Sequence, residues 1–180
     1  MEYQTFDDEA TVKGVEITSI SQAARSLSTV FGERAEAILA EHDLGDIDPD
    51  QWYPLQHYLD AIQYIDRHVG SDAVHFIAKE MPELTDWPDE VRTVVDGMNS
   101  ISGAYSNVHR GDVGYYEVEQ LGERSLRLSC RNPYPCVFDR GIIRGVGERF
   151  TPPTAYITFE EQSAQCRRDG GDECIYDISW

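Results

Sequence analysis

Lysine is nearly missing from this sequence. Lys13 and Lys79 are the two present, and the other cations are arginines. Basic residues total 15 against 33 acidic ones, giving a formal charge of −18. Binding to nucleic acid needs a basic face, so that class of function is not expected. Long apolar runs are missing as well: no stretch approaches the ~18 residues that span a bilayer, so no membrane segment is expected. The opening residues, Met1-Glu2-Tyr3 through Asp7-Asp8-Glu9, are acidic and carry no apolar core of a leader, which points to a cytoplasmic protein. Cysteine is absent until the last third, where Cys130, Cys136, Cys166 and Cys174 cluster. A cytosolic chain of this size does not need disulfides to fold, so clustered thiols point to metal or redox chemistry, with buried inert thiols as the alternative. There is no internal repeat, no low-complexity tract and no linker long enough to divide the 180 residues.

What is present suits one folded domain over residues 1–180. Hydrophobic residues make up 41% and aromatics 11%, enough for a sizeable core. Carboxylates in excess with almost no lysine match a cytosolic protein of an organism that keeps salt inside its cells. Molar salt screens such repulsion within ~3 Å. The acidity therefore reads as adaptation to salt more than as a binding surface.

Residues 1–18 read as a flexible arm ending in an extended piece, Val15–Thr18. Helices are expected over Ser21–Phe31, with Gly32 as C-terminal cap, and over Glu33–Glu41. Gly45–Asp50 is a turn-rich loop. The clearest helix is Pro54–Val69, where Leu55, Tyr58, Leu59, Ile62, Ile65 and Val69 form one stripe. Ser71 can cap a fourth helix ending at Met81. A fifth, from near Pro88, carries Val91, Val94, Val95, Met98, Ile101 and Tyr105. The period then changes. Tyr115–Leu121 and Ser125–Cys130 read as a hairpin around Gly122-Glu123. A sixth helix follows over Val137–Phe150, then strands Thr154–Glu161 and Cys174–Ser179. The order is helices and then ββαββ, an α+β fold with a small antiparallel sheet. Trp180 is expected to tuck into the fold and pin the last strand.

The strongest chemical constellation is C-terminal. Cys166 and Cys174 bracket the turn Arg167-Arg168-Asp169-Gly170-Gly171-Asp172-Glu173, and a hairpin would bring the two thiols to similar height. Cys136 stands at a helix start, where backbone N–H groups favour a thiolate. Three thiolates and one carboxylate would make a closed tetrahedral zinc site, and Glu160 and Glu161 stand just upstream. The spacing is not a CxxC pair, so buried reduced thiols remain the competing reading. Gly141 and Gly145 fall on one face of the sixth helix and each costs roughly 1 kcal/mol relative to Ala. Either close packing or room for a ligand explains them. His109, after Tyr105, could be a ligand, a base or a surface residue. No phosphate loop, HExxH or GxSxG is present.

The last half, about residues 100–180, resembles the 4-vinyl reductase domain superfamily, which is related in fold to heme-NO-binding domains and to TRAPP trafficking subunits. Three features carry the resemblance: Cys136 before the Gly-rich helix through Gly145; Cys166, Gly171-Asp172 and Cys174; and the terminal strand ending at Trp180. In phenol-sensing members, three cysteines and a glutamate hold zinc. By resemblance Cys136, Cys166 and Cys174 take the thiolate positions. The glutamate position is Ser163 here, which leaves Glu161, Cys130 or water as the fourth donor. The heme-binding relatives use a His and a Tyr-x-Ser-x-Arg motif, which Tyr105-Ser-Asn-Val-His-Arg matches only superficially, so heme is less favoured than zinc. The resemblance implies a sensory domain, not an enzyme, that acts as a homodimer. It implies a pocket for a small hydrophobic or aromatic molecule walled by Tyr105, His109, Tyr134, Phe138, Gly141 and Gly145. The alternatives are a ligand-free homodimeric adaptor and a metal- or thiol-dependent enzyme.

Overall fold

The computed structural model describes residues 2–152 and 154–180. It opens with a short strand, β1 (Thr11–Lys13), and the helices α1 (Gly14–Leu27) and α2 (Thr29–Glu41). A strand β2 (Trp52–Pro54) leads into α3 (Leu55–His68), followed by α4 (Ser71–Leu84), α5 (Val94–Val108) and a two-residue strand β3 (His109–Arg110). The second half holds the hairpin β4 (Tyr115–Gly122) and β5 (Ser125–Arg131), then α6 (Cys136–Phe150), β6 (Thr158–Glu161) and β7 (Cys174–Ser179). The class is α+β, with a mainly helical first half that carries three short strands and then ββαββ.

The C-terminal sheet has the order β4-β5-β7-β6, antiparallel throughout. Alternation decides its faces. Leu126, Leu128 and Cys130 of β5 point inward and lie opposite Ile178, Tyr176 and Cys174 of β7. A second sheet, β2-β1-β3, went unforeseen because its strands are two or three residues long. One apolar cluster runs from Tyr3 to Ile178 through both halves.

Residues 2–18 are not a flexible arm, and helix, not strand, occupies 15–18. Tyr3 is buried: its N–H donates to the Pro133 carbonyl at 2.7 Å and its hydroxyl to Asp66 Oδ2 at 2.8 Å. Helix α1 starts at Gly14, whose N–H donates to the Gln51 carbonyl at 2.8 Å. The helix break also falls earlier than expected, at Ser28, whose side chain accepts from the Val30 N–H and caps α2. Gly32 lies inside α2 instead of capping a helix. An added Cβ there would sit 2.7 Å from Arg25 Cβ, so the glycine permits close α1–α2 packing.

Two further boundaries move for local reasons. Helix α5 begins at Val94, not near Pro88, because Thr93 and Asp96 form a capping box: Thr93 Oγ1 accepts from Asp96 N at 3.2 Å, and Asp96 Oδ2 accepts from Thr93 N at 3.0 Å. Helix α4 runs through Pro82 to Leu84. Strand β6 starts at Thr158; Tyr156, within the expected strand, is almost fully exposed. Trp180 is half-buried against the core, and its N–H donates to the Arg124 carbonyl at 3.3 Å.

Candidate ligand cavity and metal centre

Three elements bring three thiols to one point. Cys136 opens α6 after two prolines fix the approach, Cys166 precedes a 3-10 turn (Arg167–Asp169), and Cys174 opens β7. The Sγ–Sγ separations are 2.9 Å for Cys136–Cys166 and 3.0 Å for each of the other two pairs. Gly170, at φ +92°, lets the chain fold back, and the Gly171 N–H donates to the Cys166 carbonyl at 3.0 Å. All three cysteines are buried and unbridged. Their hydrogen bonds share charge unevenly. The Cys136 thiol, then Cys166 and Arg167, hold Cys174 below the usual thiol range. The bond to Cys174 and burial drive Cys136 up, and burial first of all drives Cys166 up.

The fourth position is open to more than one donor. Glu161 lies exposed on β6 and approaches Cys166 without joining the three sulfurs. Glu2, unforeseen from the sequence, accepts from the Cys136 N–H at 2.6 Å and also approaches its thiol. Ser163 is committed elsewhere, since its Oγ accepts from the Ile175 N–H at 2.7 Å. Cys130 faces Cys174 across β5 and β7 but stays outside the cluster. Three converging thiols suit a soft or borderline cation, and zinc fits such a donor set.

Behind the thiols stands a buried ion pair that spacing did not reveal. The Arg167 guanidinium donates to Asp139 Oδ2, to the Asn132 carbonyl and to Asn132 Oδ1. Asp139 Oδ1 accepts from the Tyr116 hydroxyl at 2.5 Å and from Asn132 Nδ2 at 3.1 Å. Arg167 also faces Cys174. The signal was faint: a charged residue on the inner face of α6, four positions before the apolar Ile143. Such a pair does little for net stability, but removing one partner strands the other charge at about 3–5 kcal/mol.

A cavity of about 490 Å³ lies between α1, the end of α4, α5, α6 and the start of the sheet. Tyr105, His109, Tyr134 and Phe138 all line it, with Trp87, Ile101 and Val146. Gly141 and Gly145 do not. They face α4: a Cβ on Gly141 would lie 2.6 Å from Ala78 Cβ, and one on Gly145 would collide with the Lys79 carbonyl. The glycines therefore serve helix–helix packing. His109 is buried and has both ring nitrogens engaged, Nδ1 with the Tyr105 carbonyl at 2.9 Å and Nε2 with the Tyr134 hydroxyl at 2.7 Å. A carbonyl can only accept, so Nδ1 carries the proton and Nε2 accepts from Tyr134. Burial pushes His109 down to about 4. The ring is stacked on Tyr105, with centroids 4.1 Å apart, and Tyr134 is stacked on Phe138 at 4.9 Å. Glu16 and Asp86 are the charged residues at the wall, and no Lys or Arg lines it.

No family model and no curated protein matches the chain. Solved structures do. An H-NOX protein from S. oneidensis in the Fe(II) ligation state superposes with a TM-score of 0.70 at 16% identity, over 93% of this chain and 95% of that one. An oxygen-binding H-NOX domain related to soluble guanylate cyclases gives 0.69 at 14%, over 93% and 94%. An unliganded Fe(II) H-NOX protein from K. algicida gives 0.65 at 15%, over 93% and 95%. At these identities the shared property is the fold. Heme would require His109 Nε2, which accepts from Tyr134, to turn its lone pair to iron, and the wall offers two carboxylates and no Lys or Arg to the two propionates of a heme.

Proposed function

We propose that this chain is a small-molecule-sensing domain that takes an apolar ligand between its helices and its sheet. The observation that carries this reading is the aromatic-walled cavity of about 490 Å³, within the size of ordinary ligand sites. The H-NOX neighbours, whose structures include an oxygen complex and an Fe(II)NO state, support a fold that accommodates small molecules. A binding role is favoured over an enzymatic one because the histidine at the wall is neutral and committed on both sides. No described helix is long and apolar enough to cross a membrane. Native mass spectrometry of the chain with an added apolar aromatic such as naphthalene should return one molecule per chain. Ala104→Trp, at an exposed position on the cavity wall, should lower that affinity at least about tenfold by filling the space. Unchanged affinity would move the ligand elsewhere.

The thiol cluster is read as a structural zinc site held by Cys136, Cys166 and Cys174, with Glu161 or Glu2 as the fourth donor. The converged sulfurs support this. Zinc there would act as a cross-link between α6 and the last strand, since a closed site leaves no position for catalysis. Cys166→Ser and Cys174→Ser should then destabilise the fold similarly, and the double variant should be little worse than either. Elemental analysis of protein purified without chelator should find about one zinc per chain. Less than about a tenth would remove the metal and leave three packed thiols.

A homodimer is the second part of the reading. A groove of about 250 Å³ exposes Leu27, Phe31, Val69 and Phe76 on the helical side, an apolar face of the kind that symmetric pairs cover. Light scattering in high salt should give twice 20.4 kDa. The monomer mass would leave that face unexplained.

A further inference from the structure

Glu16 is the one feature of the cavity that an apolar ligand alone leaves unanswered. It stands in the first turn of α1 and lines the wall. Part of its surface remains accessible at the cavity, while protein surrounds it on the other sides. Among the described residues its carboxyl group makes no hydrogen bond and no ion pair. The hydroxyl groups around it are spent elsewhere. Tyr58 donates to the Glu16 backbone carbonyl at 3.1 Å, Tyr105 to the Val113 carbonyl at 2.7 Å, and Tyr134 to His109. Ser19 also donates to the Glu16 backbone carbonyl, at 2.6 Å, and not to the side chain. A carboxylate that borders an aromatic-walled cavity, partly accessible and with no partner among the described residues, is placed to pair with a cation there.

We propose that the cavity selects apolar molecules bearing a protonated amine, with Glu16 as the counter-ion and the rings of Tyr105, Tyr134 and Trp87 around the hydrocarbon part. This rests on the cavity being the ligand site. Two observations favour a cation over a neutral donor. The wall carries two acids, Glu16 and Asp86, and no Lys or Arg to compete for them. Aromatic faces attract ammonium groups as well as hydrocarbon. The same features reject carboxylates and phosphates.

Burial also lifts Glu16 to about 7, so an ammonium ion bound near neutral pH displaces a proton from it. The groups that face Glu16 stay neutral through this range. Tyr58 on α3, Tyr105 on α5 and Tyr134 before α6 are all pushed up by burial, and His109 is pushed down to about 4. Asp86, between α4 and α5, is the remaining charge at the wall.

The test is calorimetric titration of the whole chain in high KCl with three probes of one shape: 2-phenylethylamine, 2-phenylethanol and phenylacetate. At about pH 8 the amine should bind at least about tenfold tighter than the alcohol, because a desolvated charge pair is strong, and phenylacetate should not bind. Glu16→Gln should remove the amine's advantage over the alcohol, whereas Asp72→Asn, an exposed acid away from the cavity, should keep it. Lowering the pH to about 5.5 should erase the advantage in the natural chain, as Glu16 takes up its proton. Equal binding of amine and alcohol, or an advantage that survives Glu16→Gln, overturns the proposal while leaving the apolar cavity as a binding site. Binding of none of the three, and of no neutral aromatic either, removes the cavity reading and this proposal together.

Discussion

Glu16 and His109 share one cavity wall and respond to pH in opposite senses. Burial raises Glu16 from 4.5 to about 7, so the folded state holds its proton longer than the unfolded chain does. Stability from this group is complete below pH 4.5 and is lost as pH rises towards 7. Burial lowers His109 from 6.5 to about 4, so its contribution is complete above 6.5 and is lost as pH falls towards 4. Each displacement corresponds to about 3 kcal/mol. Over the shared window from 4.5 to 6.5 the two slopes cancel. Glu16→Gln should therefore gain about 3 kcal/mol at pH 8 and nothing at pH 4, and should uncover a rise in stability between those values. Urea unfolding across pH at fixed salt checks this. An equal gain at both ends would make the effect one of packing. The sequence marked His109, Tyr105, Tyr134 and Phe138 as residues of interest, because aromatics and a histidine near a change of period stand out. It did not mark Glu16, one acid among 33, because only the fold shows which carboxylate faces inward.

At the scale of elements, the glycines of α6 decide how closely it can approach α4. A Cβ on Gly145 would collide with the Lys79 backbone, which cannot move without shifting the helix. Gly145→Ala should destabilise the fold, because an overpacking cost of about 1–3 kcal/mol outweighs the roughly 1 kcal/mol gained in helix propensity. Gly103→Ala on α5 is the contrast, since nothing lies within 4 Å of its Cβ position. That change should stabilise by about 0.5–1 kcal/mol. Thermal melts of the two variants separate packing from propensity, and equal effects would refute the packing role. The helical stripe of α3, the hairpin and β7 were legible because each spans enough residues for its period to show. The capping box at Thr93 and Asp96 was legible in principle, but the valine at 91 extended the apolar pattern past it. The strands of the smaller sheet were not legible, since three residues such as Thr11–Lys13 have no period and are extended only because Tyr53 and His109 pair with them.

Across the whole molecule, charge sets the response to salt. The described residues form nine ion pairs, and all but Arg167–Asp139 are partly or well exposed. Salt weakens such pairs slightly, as each contributes about 0–1 kcal/mol. Fifteen cations cannot pair 33 acids, so relief of repulsion wins. The melting temperature should rise between about 0.1 M and molar KCl, as the screening length falls from about 10 Å to about 3 Å. A melting temperature indifferent to salt would overturn the reading of the composition as an adaptation to salt.

The sequence by itself determined the α+β class, the order of the main elements and the identity of the three thiols, because periodicity and turn chemistry are local. It also set the charge that governs solubility. Only the tertiary structure decided that the opening residues pack, with Tyr3 buried and Glu2 beside Cys136. It also decided that Gly141 and Gly145 serve a helix contact and not the cavity, that Arg167 and Asp139 pair in the interior, and that Glu16 lines an aromatic space without a partner among the described residues. Each of these depends on residues far apart in the chain meeting in space. Burial, which shifts the pKa of a common carboxyl group, is a property of the packed fold and of no segment taken alone.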